Sequence, residues 1–223
     1  MVNNYINLVV LGNFNPSILT HGFLTTECGF DVGDKPTKES FPMPVVASLD
    51  YDGISFFADL GRLQITEKNC ENPKQSKLPD YLDIYLEKLP HTPITKCGAN
   101  FNYDIEIQKK KLNDIEQRLL KDRQYFRKAL NATEIGLEVT FNVSSESETV
   151  RNWTLRTIAQ SGESSTTINV STAEEPNTVK INFNYEINLD QKPGRIKKIT
   201  DDYAKIYELF LFQFRKIFEE GIS

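Results

Sequence analysis

Residues 100–107 read NFNYDIEI, and residues 182–189 read NFNYEINL. In both stretches Phe, Tyr and Ile alternate with Asn and acidic residues, the two-residue period of an antiparallel strand with one wet face. Phe101, Tyr103, Ile105 and Ile107 are expected to face a core, and so are Phe183, Tyr185, Ile187 and Leu189. Five of the first six positions are identical. Two copies are fewer than a repeat architecture needs, so common descent and convergence both stay open. Each strand runs into a long amphipathic stretch, 110–130 after the first and 196–219 after the second.

The second of these stretches has two readings. ELFLFQFRKIF (208–218) alternates like a strand at Phe210, Phe212 and Phe214, yet Ile196, Ile199, Tyr203, Ile206, Phe210, Phe214 and Ile217 follow helical steps. Thr200 suits a cap, Asp201 and Asp202 a first turn, and Arg215 and Lys216 a last turn, which predicts a helix. Leu209 and Phe212 then fall off the main apolar stripe, so either the helix is buried on several sides or these two residues, with Lys216, form a partner-binding face.

Working outward toward the N-terminus, Tyr5–Leu11 reads as a buried strand that stops at Gly12, and Asn15 before Pro16 opens a short helix to about Leu24. Gly33–Pro44 reads as a loop or a partly mobile segment. Val45–Leu49 and Ile54–Ala58 flank DYDG as a hairpin, Ser76–Leu89 is an amphipathic helix ended by Pro90, and a strand covers 94–107. This βαββαβ order matches the ferredoxin-like split βαβ pattern, which is common to many functions. Four strand-like runs near 134–143, 149–159, 165–171 and 178–189 have the spacing of an antiparallel meander. The expectation is an α+β protein with a ferredoxin-like half at 1–108, a connecting helix at 109–130, and a four-stranded meander plus long helix at 131–223. The halves stand as separate bodies or as one continuous domain.

Composition supports a folded chain: of 223 residues 39% are hydrophobic and 26% charged, with 14 Phe and 9 Tyr to offset the entropy of ordering. The apolar run Ile6–Leu11 is too short for a signal peptide or membrane span and has no basic segment before it, so a cytoplasmic, prokaryotic protein with no membrane partner is expected. Cys28, Cys70 and Cys97 form no CxxC pair and leave one thiol over, which favours reduced cysteines. N-x-S/T patterns at Asn131, Asn142, Asn152 and Asn169 read as chance in an Asn-rich chain.

Candidate chemistry is sparse. His21 and His91 have no Cys or His at metal spacing, and DYDG lacks the glutamate a calcium loop needs at its twelfth position. Pro79 and Asp80, followed by Asp104 and Glu106 on a later strand, resemble the restriction-endonuclease-like signature; in that reading Asp80, Asp104 and Glu106 hold a metal ion, although Gln108 stands where the usual Lys would. No GxGxxG, P-loop or GxSxG motif occurs, and no cofactor is expected. Residues 109–130 carry eight basic against three acidic side chains in a chain whose net charge is −5, so Lys110, Lys111, Arg118, Lys121 and Arg127 offer an alternative nucleic-acid face. A second basic cluster comprises Lys192, Arg195, Lys197 and Lys198. The leading expectation is a non-catalytic protein that binds another protein or itself as a regulatory, inhibitory or accessory subunit. Nucleic-acid binding and, beyond it, metal-dependent cleavage are the alternatives.

Overall fold

The two copies of NFNY meet each other. In the computed structural model, which describes residues 3–43, 45–121, 127–128, 130–143, 148–173, 177–189 and 196–218, they lie on neighbouring strands, β6 (Ile94–Glu106) and β10 (Thr178–Asn188). The Ile107 N–H donates to Asn177 O at 2.8 Å and Asn182 Nδ2 donates to Asn102 Oδ1 at 2.6 Å, a register that sets Phe101 beside Phe183 with ring centroids 5.9 Å apart. One face of the pair is therefore aromatic and the other is a row of asparagines. The row extends onto β9 (Ser164–Thr172), where Asn169 Nδ2 donates to Asn182 Oδ1 at 3.3 Å. Antiparallel pairing keeps paired side chains on one face, so the same short alternating sequence serves both strands.

Among the described residues ten strands form one antiparallel sheet in the order β2-β3-β4-β5-β1-β6-β10-β9-β8-β7. The remaining strands are β1 (Asn3–Gly12), β2 (Lys38–Met43), β3 (Val46–Asp50), β4 (Ile54–Asp59), β5 (Arg62–Lys68), β7 (Glu134–Val143) and β8 (Glu148–Ser161). Among the described residues four α-helices with full bounds accompany them: α1 (Leu78–Glu87), α2 (Lys109–Lys121), α3 (Lys197–Asp201) and α4 (Tyr203–Phe218). The expected α+β class with antiparallel sheet is thus present, and so are the meander strands of the second half. Two compact units divide the chain, one built from Met1–Asn4, Phe101–Tyr185 and Glu208–Ser223, the other from Tyr5–Asn100 and Glu186–Tyr207.

In the second of these units, alternation along β1, β4 and β5 puts Leu8, Ile65 and Phe56 in register on the core face, each with no accessible surface. Tyr81 of α1 covers that face, its ring 6.1 Å from Phe56 and 4.5 Å from Phe30. The last position of β1 must be glycine for a steric reason: a Cβ at Gly12 would lie 2.4 Å from Pro93 O. The turn between β3 and β4 uses Gly53 at φ +78°, where a side chain would be strained.

Three expectations are corrected by the structure. Gly33–Pro44 is not wholly loop, because it contains β2; a strand at the sheet edge tolerates Pro42 since one side of its backbone needs no partner. β5 is a strand beyond those expected, although Leu63 and Ile65 alternate with Arg62, Gln64 and Thr66 as a strand requires. The short helix expected after Pro16 is broken in two: Asn15 Oδ1 accepts from the Ser17 N–H at 3.1 Å to cap a 3-10 turn at Pro16–Ile18, and a separate helical turn, π-helical over Phe23–Glu27, follows. The six-element βαββαβ order therefore does not describe this half, because four strands rather than two run between the first crossover and α1.

Candidate functional site

The features that could carry function gather in the first unit around α4. The inward side of this helix is anchored by Phe210, whose ring lies 5.7 Å from Phe101, 5.2 Å from Tyr103 and 5.5 Å from Phe183. Ile217 and Phe218 continue that buried side. Two residues on from Phe210, and half a turn round the helix, Phe212 points outward and is 53% exposed. Lys216 stands one turn later with Nζ 5.2 Å from the Phe212 ring centre, a cation–π contact that leaves most of the ring in solvent. Leu209 is half-buried beside it, while Glu208 and Arg215 are exposed. The structure thus brings Leu209, Phe212 and Lys216 together on one helix face. Sequence reasoning missed Glu208 and Arg215, which the helical neighbour spacing from Phe212 would have picked out.

The end of α4 is held by α2. Arg118 Nη2 donates to the Ile217 carbonyl at 3.0 Å, satisfying one of the acceptors that a helix C-terminus leaves open. Lys111, half-buried, lines a cleft of about 350 Å³ with Ile105, Ile107, Phe214 and Phe218, and Glu106 and Gln108 stand at its edge. The proposed nucleic-acid residues are therefore unequal: Lys110 and Arg127 are exposed, Lys111 faces the cleft, Arg118 caps a helix, and the Lys121 side chain lies outside the described residues. Of the second basic cluster, Lys197 is exposed, Lys192 and Arg195 lie outside the described residues, and so does the side chain of Lys198.

Asp104 and Glu106 share one face of β6, as alternation demands, whereas Asp80 sits in the first turn of α1. No group of three or more His, Cys, Asp or Glu that could hold a metal ion occurs among the described residues.

The second unit holds polar groups whose partners are structural. Ser76 Oγ donates to Glu67 Oε2 at 2.5 Å and accepts from the Leu78 N–H at 3.1 Å, which fixes the start of α1. Burial pushes the Cys70 thiol beside them up to about 12, and Glu67 adds to the shift. Asp83, at the edge of a 140 Å³ hollow, has its carboxyl held above the usual range chiefly by burial, against the opposing pull of a Thr200 hydrogen bond and Lys197. His21 Nδ1 and the Tyr51 hydroxyl are 3.0 Å apart, tying the segment after β1 to the β3–β4 turn. His91 is exposed. No described helix is long and apolar enough to cross a membrane.

No protein-family model matches this chain, and no curated protein does. Among solved structures it is similar to a rolling circle replication initiator protein from Geobacillus stearothermophilus, with 10% identity, a TM-score of 0.34, and coverage of 90% of this chain and 78% of that one. It is also similar to a conserved protein of unknown function from Enterococcus faecalis, with 8% identity, a TM-score of 0.26, and coverage of 58% and 75%. At these scores neither likeness carries weight for function.

Proposed function

We propose that this is a non-catalytic interaction protein, a regulatory, inhibitory or accessory subunit that works by docking the outward face of α4 on another protein chain. One observation carries the reading: Phe212, 53% exposed, stands at the middle of a helix whose opposite side is fixed by stacked aromatic rings. A lone exposed apolar residue is ordinary, and Tyr5, Val45 and Leu60 are such cases. Phe212 differs in being bordered on one regular helix by Leu209, by Lys216 and by exposed charges of both signs, the anatomy of an apolar contact with a polar rim. An aromatic anchor at such a centre contributes more than its neighbours.

The test is Phe212→Asp. It is expected to abolish retention of a partner, or of a second copy, while leaving the circular dichroism spectrum and melting temperature unchanged. A purified chain that is strictly monomeric and retains no partner with or without the substitution would sink the proposal.

The exposed Lys110 and Arg127 support a second reading, nucleic-acid binding along the basic stretch 109–130. In that case affinity falls steeply with salt and is lost on charge reversal at Arg127. Its enzymatic extension requires magnesium-dependent cleavage that disappears in Glu106→Ala.

A further inference from the structure

We infer that the partner of this face is a second copy of the same chain, with the two α4 helices packed antiparallel across a twofold axis at Phe212. The inference rests on the protein-docking reading and adds the identity and geometry of the partner. Along α4 the charges are arranged asymmetrically about Phe212: Glu208 lies four residues before it, and Arg215 and Lys216 lie three and four residues after it. A helix advances 1.5 Å and 100° per residue, so all three flank Phe212 on the outward side, about one turn to either end.

A twofold axis perpendicular to the helix reverses its direction. It therefore sets Phe212 against Phe212 and places Glu208 of each copy opposite Arg215 and Lys216 of the other. Parallel packing would instead oppose Glu208 to Glu208 and cation to cation. The surface is thus complementary to itself in one orientation only, the condition for a closed isologous dimer. Leu209, also half-buried on this face, falls opposite the aliphatic stems of the second copy's Arg215 and Lys216. A contact made by one helix face is small, so a weak dimer that assembles at high micromolar concentration is expected.

The test is a charge exchange on the full chain, read by sedimentation velocity. Glu208→Arg alone gives each copy only cations at the contact, and the double variant Arg215→Glu with Lys216→Glu gives only anions; each is expected to sediment as a monomer. Mixed in equal amounts the two are expected to form a heterodimer, because every juxtaposition is again attractive, and to associate at least as tightly as the wild type. If Phe212→Asp abolishes wild-type association but the mixture stays monomeric, the antiparallel geometry is wrong while the docking face stands. If Phe212→Asp changes nothing, the docking face itself is wrong. Dimerisation of either charge variant alone overturns the inference.

Discussion

The three cysteines behave as small core residues. Burial pushes the Cys28 thiol up to about 11 and the Cys70 and Cys97 thiols up to about 12, the Cys28 shift being partly offset by Lys88. At pH 8 a thiol near 11 is ionised in about one molecule in a thousand, and the thiolate is the reactive form. A disulfide reagent is therefore expected to label the native chain very slowly at pH 8 and to titrate three thiols after denaturation; rapid native labelling would show that one of these sites opens. Asp83 gives a pH-dependent counterpart. Its folded carboxyl is raised above the ordinary 3.8 mainly by burial, so the fold favours the protonated acid. That contribution is present below the unfolded value and is lost as pH rises through the raised folded value. Asp83→Asn is expected to melt higher than the wild type at pH 7, with the difference narrowing below about pH 4. A lower melting temperature at pH 7 would show that the Thr200 hydrogen bond and Lys197 outweigh the burial.

At the scale of elements, α4 carries both the core and the candidate surface on sequence neighbours, and the two are separable by mutation. Phe210 is 4% exposed, stacks on Phe101 and Tyr103 and meets Phe183 edge-on, so Phe210→Ala leaves a cavity and is expected to cost about 3–5 kcal/mol in chemical denaturation. Phe212→Ala removes an outward ring and is expected to change stability by no more than about 0.5 kcal/mol. Equal costs would mean that Phe212 is part of the core. This division is legible in the sequence because helical steps from Ile196 to Ile217 leave Phe212 outside the stripe. The strands of the meander and the NFNY pair are legible too, since their alternation is undiluted. The elements that stay hidden have weaker signals: β2 is an edge strand interrupted by Pro42, β5 mixes Arg62, Gln64 and Thr66 with only two aliphatics, and the π-helical turn at Phe23–Glu27 has no sequence period of its own. The break between α3 and α4 falls at Asp202, two residues after the cap expected at Thr200.

For the whole molecule, the strand order explains why the chain spells one strand twice: β6 and β10 are adjacent, and each needs an aromatic face toward α4 and a hydrogen-bonding face on the other side. Pairing cannot be read from either octapeptide alone, since a period of two fixes which side chains share a face but not which strands are neighbours. The candidate site is legible as a residue set and not as a surface. Periodicity singles out Leu209, Phe212 and Lys216, whereas the use of Arg118 as a cap for the Ile217 carbonyl depends on tertiary contact. Whether this chain is an interaction protein reduces to whether the outward face of α4 is a contact surface. Sedimentation velocity of the wild type and Phe212→Asp over a range of concentrations reaching about 0.5 mM, where weak interfaces associate, tests that most directly. The expected result is a weight-average mass that climbs above 25.6 kDa for the wild type and stays at 25.6 kDa for the variant. Superimposable profiles for the two chains at every concentration, with no other protein retained by either, would contradict it.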